Sequence, residues 1–272
     1  MSSERFELIE LSLYVCRKEY LTPHYIRVYL QGEGVEQLKN TTIGVNNKIL
    51  IPPKGISTIH FPKIDYKKMQ WIPLPKEIRP IIRTYTHRGF DIDKKEIWID
   101  FVAHGDEGPA SSWVINAKKG DLLGVLMAEG KTELYKNAKN YILVGDATGI
   151  PVISAILEDL PSSATGMCLI EVFDESDKQD LITKASIEFI WLYNSHPQKG
   201  SELANQLKKI PLPEEDRFAY IAAEYTTVKN SRHYLRKDKL WNIDEVNAYS
   251  YWKSGTSEDK SEQDRRKENT TE

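Results

Sequence analysis

The sequence predicts two domains, an antiparallel β-barrel followed by an open parallel α/β sheet. Two features lead there. Up to about Leu126 the chain is a series of short β-branched and aromatic runs punctuated by glycine and proline, the pattern of an antiparallel barrel. Beyond about Asn140, apolar strand-like runs alternate with helically spaced segments, the pattern of a parallel sheet with crossovers. A length of 272 residues accommodates both domains, each with a core of its own.

Leu11 to Arg17 and Tyr25 to Leu30 are the first two strands, with Thr22-Pro23 between them and Gly32 and Gly34 after the second. Lys48 to Ile51 is a third, closed by Pro52-Pro53. Ile81 to Thr86 and Glu96 to Val102 follow, separated by a turn around Asp91 to Lys94, and Leu122 to Met127 comes after Gly120-Asp121. Together these strands predict a closed barrel. Pro109 to Ala117 reads as a short helix, because Pro109 suits a first turn and Trp113, Val114 and Ala117 share a face.

In the second half, Tyr141 to Val144, Met167 to Phe173, Glu188 to Tyr193 and Arg217 to Ala223 are the predicted strands. Pro151 to Leu160, Ser201 to Lys209 and the basic segment Val228 to Arg236 are the predicted helices. The expected domains are 1–138 and 139–255. Residues 256–272 are polar and charged and read as a disordered tail. In an open α/β sheet, ligands sit beyond the carboxyl ends of the strands. The turn Gly145 to Gly149 is therefore expected to face one.

Composition excludes several functions. Hydrophobic residues make up 40%, charged residues 28%, and the net charge is −3. That is no electrostatic footprint for nucleic acid. No apolar run reaches the roughly 18 residues of a membrane span, and the N-terminus lacks a secretory h-region. Cys16 and Cys168 have no metal-ligand spacing and read as free thiols of a reducing compartment. A cytoplasmic, monomeric protein is expected.

Three segments carry candidate chemistry. In Arg83-Thr84-Tyr85-Thr86, strand alternation turns Arg83 and Tyr85 one way and Thr84 and Thr86 the other. Arginine offers a phosphate a bidentate contact, tyrosine an aromatic surface, and threonine a hydrogen bond. An ordinary amphipathic strand reads the same way. His104-Gly105-Asp106-Glu107-Gly108-Pro109-Ala110-Ser111-Ser112-Trp113 joins a strand to a helix. Its glycines let backbone approach a ligand, and the helix start offers free N–H groups for a phosphate. A plain connecting loop explains it equally well. Gly145-Asp146-Ala147-Thr148-Gly149-Ile150-Pro151 is neither GxGxxG nor a P-loop. A tight turn explains its glycines and proline, as does a turn with Thr148 exposed to a nicotinamide or flavin edge.

Other constellations are negative. The six histidines form no HExxH-type spacing, and no GxSxG occurs. The basic run Lys229 to Lys239 reads as a solvated helix face or as an attractor for an anion.

Taken in order, RxYT, HGxxGPAxxW, GDxTxxP and a C-terminal YWxxG resemble the siderophore-interacting protein family. These are ferric-siderophore reductases related to ferredoxin-NADP reductases. The resemblance runs from Leu21-Thr22-Pro23-His24-Tyr25-Ile26-Arg27-Val28 to Tyr251-Trp252-Lys253-Ser254-Gly255. It implies an FAD-binding barrel and an NAD(P)H-binding second domain. By it, Arg83, Thr84, Tyr85 and Thr86 hold the flavin, with Tyr85 against the isoalloxazine. Asp100, Val102, His104, Gly108, Pro109, Ala110, Ser111 and Trp113 belong to the FAD strand, loop and helix. Asp146 and Thr148 stand where nicotinamide meets flavin, Glu224 is the strand-end acid, and Trp252 belongs to the closing motif. The chain departs from the family's GDETALPA, reading Gly145-Asp146-Ala147-Thr148-Gly149-Ile150-Pro151-Val152. It departs again at AGE, reading Ala222-Ala223-Glu224.

The implied reaction passes a hydride from NAD(P)H to the flavin and then single electrons to Fe(III) in a bound siderophore. Ferrous iron binds oxygen donors more weakly and leaves. Ferric siderophores are often anionic, so Lys229, Arg232, His233 and Arg236, at helical spacing, are the expected substrate contacts. Asp174 and Glu175 follow the second strand of the α/β domain, where an acid binds a ribose 2′-OH, which favours NADH over NADPH. Ferredoxin is an alternative donor. A flavin or quinone reductase and a non-enzymatic siderophore-binding protein are the competing readings.

Overall fold

The computed structural model describes residues 7–65, 70–105 and 108–256. Asp106 and Glu107 of the glycine loop, and the expected tail beyond Thr256, lie outside the described residues. The chain divides into two compact units, Met1–Thr132 and Glu133–Glu272.

The first unit contains β1 (Leu8–Thr22), β2 (Tyr25–Gln31), β3 (Asn46–Ile51), β4 (Lys63–Asp65), β5 (Gln70–Ile72), β6 (Ile81–Thr86), β7 (Gly89–Asp91), β8 (Glu96–Val102) and β9 (Leu122–Ala128). Helix α1 (Pro109–Asn116) connects β8 to β9. Seven strands form one antiparallel sheet in the order β6-β3-β9-β1-β2-β8-β7, and β4 and β5 form a separate hairpin. The expected barrel is thus a half-barrel, because the hydrogen-bonded ladder ends at β6 and β7. These edge strands are consecutive in sequence, joined only by His87 and Arg88. The ends of the sheet are connected by covalent chain rather than by strand pairing. β4, β5 and β7 were not expected; three residues are too few to show a period.

The inner face is apolar, with Leu13, Val28, Leu30, Ile97, Ile99 and Phe101 fully buried. Burying a side chain of this kind contributes about 1.5–3 kcal/mol. Helix α1 adds Ala110 and Val114 to this core.

The second unit contains β10 (Asn140–Asp146), α2 (Ile150–Asp159), β11 (Thr165–Val172), β12 (Ser186–Tyr193), α3 (Leu203–Leu207), β13 (Arg217–Glu224), α4 (Tyr225–His233) and β14 (Val246–Trp252). All strands are parallel, in the order β12-β11-β10-β13-β14. The order reverses at β10, so the switch point lies between the carboxyl ends of β10 and β13. α3 and α4 cover the sheet face of Ile142, Val144, Ala219 and Ile221 through Leu203, Leu207 and Val228. β14 was not expected as a strand, since Asn247 and Ser250 interrupt its apolar pattern. α4 begins earlier than expected because Glu224 caps it, and its end passes into a π-helical turn, Tyr234–Asp238. Among the described residues, no helix is long and apolar enough to cross a membrane.

Candidate functional site

In the first unit, one phenylalanine joins two of the motifs. The Phe101 ring on β8 lies 4.5 Å from the Tyr85 ring on β6 and 5.6 Å from the Trp113 ring on α1, centroid to centroid. Strand register explains the first contact. Ile49 pairs with Arg83 and Asn47 with Tyr85, and directly paired residues share a face. Arg83 and Tyr85 therefore lie on the side of buried Ile49, both half-buried themselves. Thr84 lies on the other side, where its hydroxyl accepts from Lys48 Nζ at 2.6 Å. Thr86 is buried.

The loop beyond β8 is fastened by Ser111. Its hydroxyl accepts from the His104 N–H at 3.0 Å and donates to the Gly105 carbonyl at 2.6 Å. The Ser111 side chain is thus committed to the loop, leaving its backbone N–H for any ligand. Gly108 is the N-cap of α1, in extended conformation with φ −103°. A Cβ there would lie 3.0 Å from His104 Cε1, so the exposed imidazole rests against bare backbone. Pro109 opens the helix, no side chain caps it, and its first turn holds no acid. Among the described residues no side-chain anion caps the Ala110 and Ser111 N–H groups that head this helix, which is the arrangement that binds phosphate.

Asp100 serves the sheet. Its carboxylate accepts from Arg27 Nε at 2.6 Å and Arg27 Nη2 at 2.8 Å. Arg88 Nε stands 3.7 Å from Asp100 Oδ2. Arg27 and Asp100 are direct partners across β2 and β8, so the forked pair forms in place. Val102, half-buried, pairs with Tyr25 at the end of the same ladder.

In the second unit, Asp146, Thr148, Glu224 and Trp252 come together. Asp146 Oδ1 accepts from the Thr148 N–H at 2.9 Å and from the Thr148 hydroxyl. Its Oδ2 accepts from the Glu224 N–H and the Trp252 indole N–H, both at 2.8 Å. Glu224 Oε2 caps α4 through Thr226 and Thr227, and its Oε1 accepts from the Ser254 N–H at 3.3 Å. Burial raises the pKa of the Asp146 carboxyl, and its four donors offset that rise only in part. The expected cofactor residues are thus one another's partners at the switch point. The glycines of the turn face protein as well: a Cβ on Gly149 would stand 2.2 Å from the Ala222 carbonyl oxygen.

The four basic residues are not one free face. Lys229 and His233 are exposed and Arg232 is half-buried. Arg236 lies in the π-turn, where Nη2 donates to the Ile243 and Val246 carbonyls at 3.2 and 2.8 Å. His233 stands 3.8 Å from Asp238. Asp174 accepts from the Ser176 N–H and hydroxyl, and Glu175 is exposed.

Sequence reasoning missed Glu171, which is buried at the end of β11. It accepts from Asn194 Nδ2 at 3.0 Å, Ser201 Oγ at 2.9 Å and the Glu202 N–H at 3.3 Å, fastening the loop that leads into α3. A lone carboxylate inside the apolar run Met167 to Phe173 was its signal. Ser254, whose hydroxyl also donates to the Gln198 carbonyl at 2.8 Å, gave none.

Comparison with known proteins follows the same two units. Residues 14–132 match the siderophore-interacting FAD-binding domain and residues 138–255 the siderophore-interacting protein model. Ferric vibriobactin reductase ViuB of Vibrio cholerae is 31% identical, with 95% of each chain covered. The NADPH-dependent ferric-chelate reductase of Escherichia coli is 26% identical over 88% of this chain and 91% of its own. The crystal structure of the siderophore-interacting protein SipS from Aeromonas hydrophila superposes with a TM-score of 0.80 at 29% identity, covering 96% and 98% of the two chains. This chain belongs to the siderophore-interacting protein family.

Proposed function

We propose that the chain is an FAD-dependent reductase of ferric siderophores that draws electrons from NAD(P)H. The observation that carries this is the contact of Phe101 with both Tyr85 and Trp113, which fixes the Arg83–Thr86 strand relative to the open N-terminus of α1. The residues fit FAD: Arg83 offers a half-buried guanidinium, one nitrogen of which donates to the Ile82 carbonyl at 2.7 Å, Ala110 and Ser111 offer backbone N–H groups at a helix start, and Tyr85 offers a half-buried ring. Arg83 and the head of α1 would hold the pyrophosphate, and Tyr85 would orient the isoalloxazine. When bound, FAD supplies the exchange between a two-electron nicotinamide donor and one-electron Fe(III).

The second unit would receive the nicotinamide nucleotide at its switch point. There Asp146 holds the ends of β10, β13 and β14 in register. Lys229 and Arg232, with His233 beside them, would draw in an anionic ferric chelate. Arg236 is left out of that set, because its Nη2 is spent on two carbonyls. Reduction to Fe(II) weakens the hold of hard oxygen donors, and the metal leaves. The name of ViuB, with coverage of nearly all of both chains, supports the substrate class. That of the Escherichia coli reductase supports a nicotinamide donor. Action as a cytoplasmic monomer belongs to the same proposal, with ferredoxin as the alternative donor.

The test is anaerobic reduction of a ferric siderophore, followed with a ferrous-specific chromophore, with NADH, NADPH or reduced ferredoxin as donor. FAD-dependent ferrous iron with a nicotinamide donor is expected. Activity confined to ferredoxin would reassign the donor, and equal activity on free flavin would favour a general flavin reductase. Lys229→Ala with Arg232→Ala raises KM for an anionic chelate; an unchanged KM removes both from the substrate site.

A further inference from the structure

Helix α1 has only eight residues, and a helix of two turns is marginal without outside support. Its last turn contains no basic residue. Three of its C-terminal carbonyls nevertheless have partners. The Ala117 N–H donates to the Trp113 carbonyl at 2.7 Å. The Lys18 ammonium, reaching over from β1, donates to the Val114 and Ile115 carbonyls at 3.1 and 2.7 Å. The two poles of α1 therefore differ: an imported cation closes the negative end, and among the described residues no side-chain acid caps the positive end.

A defect in β1 puts Lys18 in position. Val15 pairs with Leu30 and Arg17 with Tyr29, so Cys16 is an extra residue without a partner in that ladder. Before this bulge the odd-numbered residues Leu11, Leu13 and Val15 point into the core. After it the phase is reversed, and Lys18 is paired with fully buried Val28. Without the extra residue, Lys18 would fall on the opposite face. Bulges redirect side chains in this way beside functional sites.

We propose that Lys18, aimed by the bulge at Cys16, is a positioning residue for the cofactor: it anchors the far end of α1 so that the near end stays set for the FAD pyrophosphate. This rests on the FAD reading given above. Lys18 touches no expected ligand contact and acts through the helix.

The test uses the full-length apo chain with Lys18→Met and Lys18→Arg. FAD affinity is read from quenching of flavin fluorescence, and α1 mobility from amide hydrogen exchange without FAD. Lys18→Met is expected to weaken FAD binding on the order of tenfold and to speed exchange across α1. Lys18→Arg, which keeps charge and donors, is expected to restore both. A folded Lys18→Met protein with unchanged FAD affinity or unchanged exchange overturns the proposal. If Lys18→Met does not fold, Lys18→Gln is read the same way. A wild-type chain that binds no FAD would defeat the parent reading instead, and the exchange comparison would still decide whether Lys18 anchors α1.

Discussion

The Trp252 indole N–H and the Glu224 backbone N–H share one oxygen of Asp146, each at 2.8 Å. Three strand ends thus converge on a single buried carboxylate. Asp146→Asn replaces one acceptor with a donor and leaves buried N–H groups unpaired. A loss of about 2 kcal/mol is expected. Trp252→Phe keeps most of the ring, removes only the N–H, and is expected to cost about 1 kcal/mol. Because both changes break the same bond, their effects in the double variant will add to less than their sum. Urea unfolding of the two single variants and the double measures this; strict additivity would mean the bond contributes nothing.

The two glycines of the β10–α2 turn are not equivalent. A Cβ on Gly149 would lie 2.2 Å from the Ala222 carbonyl oxygen, which is backbone. A Cβ on Gly145 would meet chiefly Ile153 Cδ1, at 2.5 Å, and a side-chain end can move. Gly149→Ala should therefore cost at least about 2 kcal/mol, and Gly145→Ala less. Thermal melts of the two variants give the order, and the reverse order would contradict the packing described.

Much of this was legible in the sequence. β6 and β8 run as expected because their apolar, β-branched pattern is strong and their ends are punctuated. The resemblance named the residues at the switch point, yet not their mutual bonds. Asp146, Glu224 and Trp252 lie far apart in the chain, and nothing local says that their polar atoms meet. The resemblance placed Asp100 among the cofactor residues, and strand alternation does not reveal the residue opposite it, which is Arg27. The helical spacing from Lys229 to Arg236 assumed an unbroken α-helix, and the π-turn at Tyr234 breaks that assumption.

Phe101 is the hinge of the candidate flavin site. Phe101→Leu keeps the core filled and removes the ring contacts to Tyr85 and Trp113, each worth about 0.5–1.5 kcal/mol. A loss of stability of about 1–3 kcal/mol is expected, with FAD binding several-fold weaker. A flavin titration beside a melting curve separates the two, and unaltered FAD affinity would remove the aromatic bridge from the site.

His87, directly after the Arg83–Thr86 segment, is buried beside Thr41 and Phe90. Burial, with Lys131 adding repulsion, lowers its pKa from 6.5 to about 4. Above pH 6.5 both folded and unfolded chains carry it neutral, and it exerts no pH effect. As the pH falls from 6.5 towards 4 the unfolded chain takes up the proton first, so stability is lost, by at most about 3 kcal/mol. Urea unfolding at pH 7 and pH 5 should show this loss in the wild type and a smaller one in His87→Phe. Equal losses would assign the effect to other groups.

The most direct test is the visible spectrum of the purified chain after incubation with FAD and removal of the excess. Bound flavin bands that bleach on anaerobic NAD(P)H, and return when a ferric siderophore is added, are the expected result. A chain that stays colourless after FAD, or reduced flavin that a ferric siderophore leaves bleached, would contradict the account.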